Sequence, residues 1–160
     1  MFIGEVNKIR KYVKVITCTI QSIYDAVAEA RSLITLGTVK ELLASRVLWG
    51  EELLDREAKV AFGCDLLSDM LAYAPEGVLL LTGLTNEHLI STADIIGACG
   101  IVFVRGKIPD ERVIRKAAEK GIPLLSTKMF LHEVCGVLYA AGLSGPVDPD
   151  AGNRDLSCFD

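Results

Sequence analysis

Residues 101–128 constrain the fold more than any other part of the chain, because they spell strand, turn, helix, turn, strand in one continuous run. Ile101 to Val104 is a short unbroken apolar stretch, as expected of a strand buried on both faces. Pro109, Asp110 and Glu111 have the chemistry of a first helical turn, with acidic groups at the positive end of the helix dipole. Val113, Ile114, Ala117 and Ala118 then recur at helical spacing, while Arg112, Arg115, Lys116 and Glu119 take the opposite face. Lys120 and Gly121 terminate that helix, and Ile122 to Leu125 form a second buried run that ends in Ser126, Thr127 and Lys128. A helical crossover of this length joins parallel strands and is right-handed.

The flanking chain extends the same pattern. Lys59 to Gly63 reads as a strand with Val60 and Phe62 on one face, followed by a short helix through Leu71 and Tyr73 that Asp65 or Ser68 would cap. Pro75-Glu-Gly77 is a turn, Val78 to Leu81 a further buried strand, and Glu87 to Ala98 a helix closed by Gly100. Met129 to Ala141 is a last helix, stopped by Gly142. Upstream, Thr38 and Glu41 form a capping-box pattern for a short helix that buries Val39, Leu42 and Leu43. Arg46 to Trp49 is a strand turned by Gly50, with Trp49 as a core or interface anchor. The expectation is an α/β, three-layer domain over residues 38–143, with a mainly parallel sheet flanked by helices.

Both ends differ from this domain. Ile20, Ile23, Tyr24, Val27, Ala30 and Ile34 fall at helical intervals, so residues 1–37 read as a helical extension ended by Gly37. The β-branched run Tyr12 to Ile20 fits a strand equally well. The extension's apolar stripe needs cover, either from its own domain or from a second subunit. From Ser144 to Asp160, Pro, Gly, Asp and Asn dominate, which reads as a flexible tail.

Composition sets the limits on function. The 160 residues suit one domain, and the net charge of −4 lacks the basic footprint of a nucleic-acid binder. The cluster Lys8, Arg10, Lys11 and Lys14 reads as a solvated helix face. The segment after Lys11 carries Lys14, Thr17, Thr19 and Gln21 and lacks the apolar core of a signal peptide. No run reaches the roughly 18 apolar residues of a membrane span, and a cytoplasmic location is expected. Of five cysteines, none in a C-x-x-C pair, Cys64, Cys99 and Cys135 read as small buried hydrophobes in a reducing compartment. His88 and His132 stand far from any cysteine pair, so no metal site is expected.

In an open parallel sheet, ligands bind outside the carboxyl ends of the strands. Those ends carry Asp65, Thr82, Gly83, Arg105, Gly106, Ser126, Thr127 and Lys128, with Ser68 and Asp69 on the helix after the first of them. Small residues let backbone approach a ligand, while Arg105, Lys128 and the hydroxyls suit an anion. This set is the expected rim for a small anionic ligand such as a nucleotide or acyl phosphate; turning the chain and capping helices accounts for the same residue types. Asp65 and Asp69, one helical turn apart, have the spacing to share a cation, but ordinary capping and solvation explain them too. No phosphate-loop, dinucleotide-fold or nucleophile-elbow motif occurs in the sequence. A cysteine nucleophile would require Cys64 or Cys135 exposed and held as thiolate.

Five segments together, Asp55-Arg56, Gly63-Cys-Asp-Leu-Leu-Ser-Asp69, Leu80-Leu-Thr-Gly83, Ile101-Val-Phe-Val-Arg-Gly106 and Gly121-Ile-Pro-Leu-Leu-Ser-Thr127, resemble the DRTGG domain. They are also similar to the N-terminal domain of HPr kinase/phosphorylase, whose kinase half and phosphate loop have no counterpart here. The eponymous motif keeps Asp55 and Arg56, but Glu57, Ala58 and Lys59 replace its Thr-Gly-Gly portion. The resemblance implies a regulatory or assembly-forming domain of the kind that accompanies catalytic modules in phosphotransacetylases and CBS-containing pyrophosphatases. No cofactor is expected; the rim suits an adenine nucleotide or other phosphorylated ligand, and the expected assembly is a homodimer or small homo-oligomer, with a partner enzyme as a further expectation. Two other functions fit the residues: a small phosphoryl-transfer enzyme using Asp65, Asp69, Lys128 or a cysteine, and an interaction module working through the N-terminal helix.

Overall fold

Alternation within the central strands places the layers. The computed structural model describes residues 34–146. Elements are numbered in chain order: β1 (Ile34–Thr35), α1 (Leu36–Leu42), β2 (Arg46–Trp49), β3 (Glu57–Ala58), β4 (Val60–Gly63) and α2 (Leu67–Tyr73). They continue as β5 (Val78–Thr82), α3 (Glu87–Ile95), β6 (Gly100–Phe103), α4 (Glu111–Lys120), β7 (Leu124–Ser126) and α5 (Leu131–Ala140). The main sheet has the order β2-β7-β6-β5-β4, in which β4 to β7 are parallel and β2 joins the edge antiparallel to β7. A mainly parallel sheet inside an α/β domain is what the sequence implied.

Each crossover from β4 to β7 moves one strand along the sheet. Same-handed crossovers that always step in one direction deliver their helices to the same face. Met70 of α2, Leu89, Ile90 and Ala93 of α3, and Val113 and Ala117 of α4 accordingly pack with Val78, Leu80, Ile101, Phe103 and Leu124. The opposite face, with Ala61, Leu79, Leu81, Val102 and Leu125, is covered by Leu36 and Val39 of α1 and by Val134 and Leu138 of α5. β5 is therefore buried along its whole length, and each such Leu contributes about 1.5–3 kcal/mol of transfer free energy.

Several local expectations are corrected. Thr38 lies inside α1; Thr35 is its cap, accepting from the Thr38 N–H at 3.2 Å. Gly37 also lies within α1 and ends nothing; Val39 and Leu43 are buried as expected, but Leu42 is exposed and Leu36 takes its place on the buried face. Neither Asp65 nor Ser68 caps α2, whose first residue follows Leu66 without a side-chain cap. The helix after β5 stops at Ile95 and turns through Gly97 (φ 64°), whereas Gly100 begins β6. A Cβ at Gly100 would lie 3.2 Å from Leu36 Cδ1 and 3.4 Å from the Pro123 carbonyl, so its smallness serves packing. Ser144, the start of the expected tail, is buried, and its carbonyl accepts from Ala61 N–H at 2.9 Å along the outer edge of β4. The helix and strand readings before Ile34 and the tail after Pro146 lie outside the described residues.

The altered DRTGG segment has a structural use. Glu57–Ala58 pairs antiparallel with Ile34–Thr35, and Arg56 donates to the Gly121 carbonyl at 2.9 Å at the end of α4. No helix among the described residues is long and apolar enough to cross a membrane.

Candidate functional site

The predicted rim residues fall into two neighbouring groups at the carboxyl end of the sheet. At the ends of β4, β5 and β6, Asp65 Oδ1 accepts from Thr82 Oγ1 at 2.8 Å and from Gly83 N–H at 2.7 Å. Arg105 Nη2 stands 3.6 Å from Asp65 Oδ2, and Lys107 Nζ donates to the Gly83 carbonyl at 2.7 Å. Burial pushes the Asp65 carboxyl up, but the bonds from Gly83 and Thr82 and the charges of Arg105 and Lys107 outweigh it. The net result is a value below the ordinary one. Thr82 is fully buried, and its hydroxyl also accepts from Leu84 N–H at 3.1 Å, so both of its hydrogen-bonding roles serve the protein.

The second group lines an open cleft of about 470 Å³. Gly106, Ser126, Thr127 and Lys128 lie here as the sequence suggested. They are joined by Leu43, Ala44, Arg46, Ile108 and Met129, which sequence reasoning passed over. Arg46 escaped because it begins its strand, and the rule of strand carboxyl ends does not point to strand beginnings. β2 is antiparallel, so Arg46 sits opposite Ser126 and its amino end shares the edge with the carboxyl ends. The buried Thr127 hydroxyl donates to the Leu43 carbonyl at 2.8 Å and ties the α1–β2 loop to the end of β7. Thr127 is thus a brace within the cleft wall.

Topology explains why the crevice opens at this place. The loop after β6 leads to α4 on one face of the sheet, while the loop after β7 leads to α5 on the other. Loops that diverge to opposite faces leave a crevice between them, which is where open α/β sheets bind ligands. The backbone there is also unusual. Among the described residues only Ala44 (φ 43°) and Arg105 (φ 62°) are non-glycine residues at positive φ; Ala44 lines the cleft and Arg105 precedes its Gly106 wall. A non-glycine residue in this region costs about 1–2 kcal/mol.

Other candidates fare differently. Ser68 is exposed on α2, Asp69 is half-buried in its first turn, and no side-chain hydrogen bond or ion pair joins either to the rim among the described residues. No group of three His, Cys, Asp or Glu side chains fit to hold a metal occurs among the described residues. His132 is exposed in the first turn of α5, and His88 lines a separate hollow at the starts of α3 and α4. In that hollow Asp110 Oδ1 is engaged in capping α4, and Lys116 Nζ donates to the Glu87 carbonyl at 3.1 Å and to Ser91 Oγ at 2.7 Å. Burial raises the Cys135 thiol and pushes Cys99 up to about 11, against the thiolate a nucleophile needs. Cys135 Sγ packs where a Gly63 Cβ would otherwise stand, 2.8 Å away.

A family model described as the DRTGG domain matches residues 38–135. The fold is similar to the crystal structure of the CBS and DRTGG domains of the regulatory region of Clostridium perfringens pyrophosphatase, complexed with activator, diadenosine tetraphosphate. The TM-score is 0.57 at 15% identity, covering 72% of this chain and 49% of that one. This likeness shows the fold, and the chain spans about half the length of that structure. No curated protein matches the sequence.

Proposed function

The chain belongs to the DRTGG domain family, with more than half its length within the family match, and on that premise we propose that it is a regulatory, ligand-sensing domain. Its ligand is a small molecule with an anionic group and an apolar or aromatic body, of the nucleotide class. The observation that carries this reading is the cleft at the β6–β7–β2 edge. There Arg46 and Lys128 supply two exposed cations beside the apolar surfaces of Ile108 and Met129. Guanidinium and ammonium groups suit phosphate oxygens, and an apolar wall suits a base. The two positive-φ residues on the rim support the reading, because backbone strain of this kind gathers at ligand sites. The related regulatory region, solved with a phosphorylated adenine activator, supports the regulatory half of the proposal. A regulatory role also accords with assembly into a homo-oligomer and with a partner enzyme.

Calorimetry and thermal unfolding with inorganic phosphate, AMP, ATP and diadenosine tetraphosphate test the proposal. A binder at a hundred times its Kd stabilises the fold by about 2.7 kcal/mol, a shift of several degrees in Tm. The double variant Arg46→Ala/Lys128→Ala should keep the fold, since both side chains are exposed, and lose the response. Silence of the wild-type protein across the whole panel overturns the proposal.

A further inference from the structure

The loop between β6 and α4 alternates in what its residues touch. Gly106 and Ile108 line the cleft. Their neighbours are tied to the segments after β4 and β5: Arg105 Nη2 lies 3.6 Å from Asp65 Oδ2, and Lys107 Nζ donates to the Gly83 carbonyl at 2.7 Å. The backbone of the same loop is tied to the far wall. Arg105 N–H donates to the Met129 carbonyl at 2.8 Å, Gly106 N–H to the Thr127 carbonyl at 2.7 Å, and Ser126 Oγ to the Lys107 carbonyl at 2.8 Å. Arg105 is at φ 62°, a disfavoured backbone for a non-glycine residue that the loop's ties must secure.

We infer that Asp65 and Lys107 are positioning residues for the cleft: with Arg105 they latch residues 105–108 to the segments after β4 and β5 and hold one cleft wall in its binding geometry. This rests on the ligand-sensing reading of the cleft, but the latch itself is defined without a ligand. Asp65 is engaged within the protein, since Oδ1 has two donors and Oδ2 faces Arg105. Its effect on a bound molecule passes through the loop. A wall organised in advance spares the ligand the entropic cost of ordering it.

Gly83 offers a clean way to open the latch. A Cβ there would collide with Arg105 Nη2 and come within 2.9 Å of Cζ. Those atoms are the far end of a flexible side chain, so the guanidinium must leave while the backbone stays. Hydrogen exchange of the full chain without any ligand, in wild type, Gly83→Ala, Asp65→Asn and Lys107→Met, is the first measurement. The peptide covering 105–108 should exchange about fivefold faster or more, with β5 and β6 unchanged. Lys107→Arg, which keeps a donor for the Gly83 carbonyl, should restore slow exchange. Loop exchange at the wild-type rate in Gly83→Ala and Lys107→Met overturns the latch. ATP titration of the same proteins is the second measurement, and a roughly tenfold rise in Kd is expected on releasing the wall. An unchanged Kd with a released loop overturns the positioning role. Failure of ATP and of diadenosine tetraphosphate to bind the wild type overturns the cleft reading instead, a result that loop exchange keeps distinct.

Discussion

Asp65 is the residue whose chemistry depends most on its surroundings. In sequence it is one more acidic residue before a helix, suited to capping or to a shared cation. In the fold it receives the Thr82 hydroxyl and the Gly83 N–H, and its carboxyl is held below the ordinary value. A group whose folded value is depressed adds stability above its unfolded value and loses it as pH falls through the folded one. The stability gap between wild type and Asp65→Asn, from urea midpoints, should therefore stay constant from pH 7 to 5. It should close as the pH drops below 3.8, the ordinary value for the group. The gap itself should be about 1 kcal/mol, since the ion pair is half exposed and screened by solvent. A gap that persists undiminished at pH 3 would assign the effect to packing rather than charge.

At the scale of elements, the β6–α4–β7 unit was legible as strand, helix and strand, although Pro109 and Asp110 precede α4 instead of forming its first turn and β7 runs from Leu124 to Ser126. Asp110 caps α4, with its Oδ1 accepting from Arg112 N–H and Val113 N–H at 3.1 Å each, and Gly121 closes it in the left-handed region at φ 64°. Such signals are local, because a cap bonds within three residues and an apolar stripe repeats every turn. Asp110→Ala should cost about 1 kcal/mol in chemical unfolding without changing the fold. An unchanged midpoint would mean that packing of α4 alone sets its start. Where the local rules failed, a competing residue stood close by. Thr35 displaced Thr38 as the cap of α1, and Gly97 displaced Gly100 as the turn after α3. The capping-box pattern could not register that β1 pairs with β3 and so fixes the chain at Thr35.

The molecule as a whole rests on a sheet whose central strands are covered on both sides. Leu80 is fully buried among the residues under α2, α3 and α4. Leu80→Ala should cost about 2–5 kcal/mol, a large part of the roughly 5–15 kcal/mol that holds a domain folded. Thermal unfolding with a drop in Tm of only a degree or two would show that the core closes over the cavity.

The sequence by itself determined the α/β class, the order of strands and helices from β4 to α5, the family resemblance, and most of the residues on the sheet's carboxyl edge. Those properties are written in periodicity, caps and short apolar runs, which act over a few residues. Only the tertiary structure decided how that edge divides into an Asp65–Arg105–Lys107 latch and an Arg46–Lys128 cleft. That division depends on an antiparallel edge strand and on two loops that leave for opposite faces of the sheet. Arg46 and Ser126 meet across 80 residues of chain because of a pairing between its two ends. Local pattern carries no record of such a pairing, since its driving force is burial of the whole sheet rather than any contact along the chain.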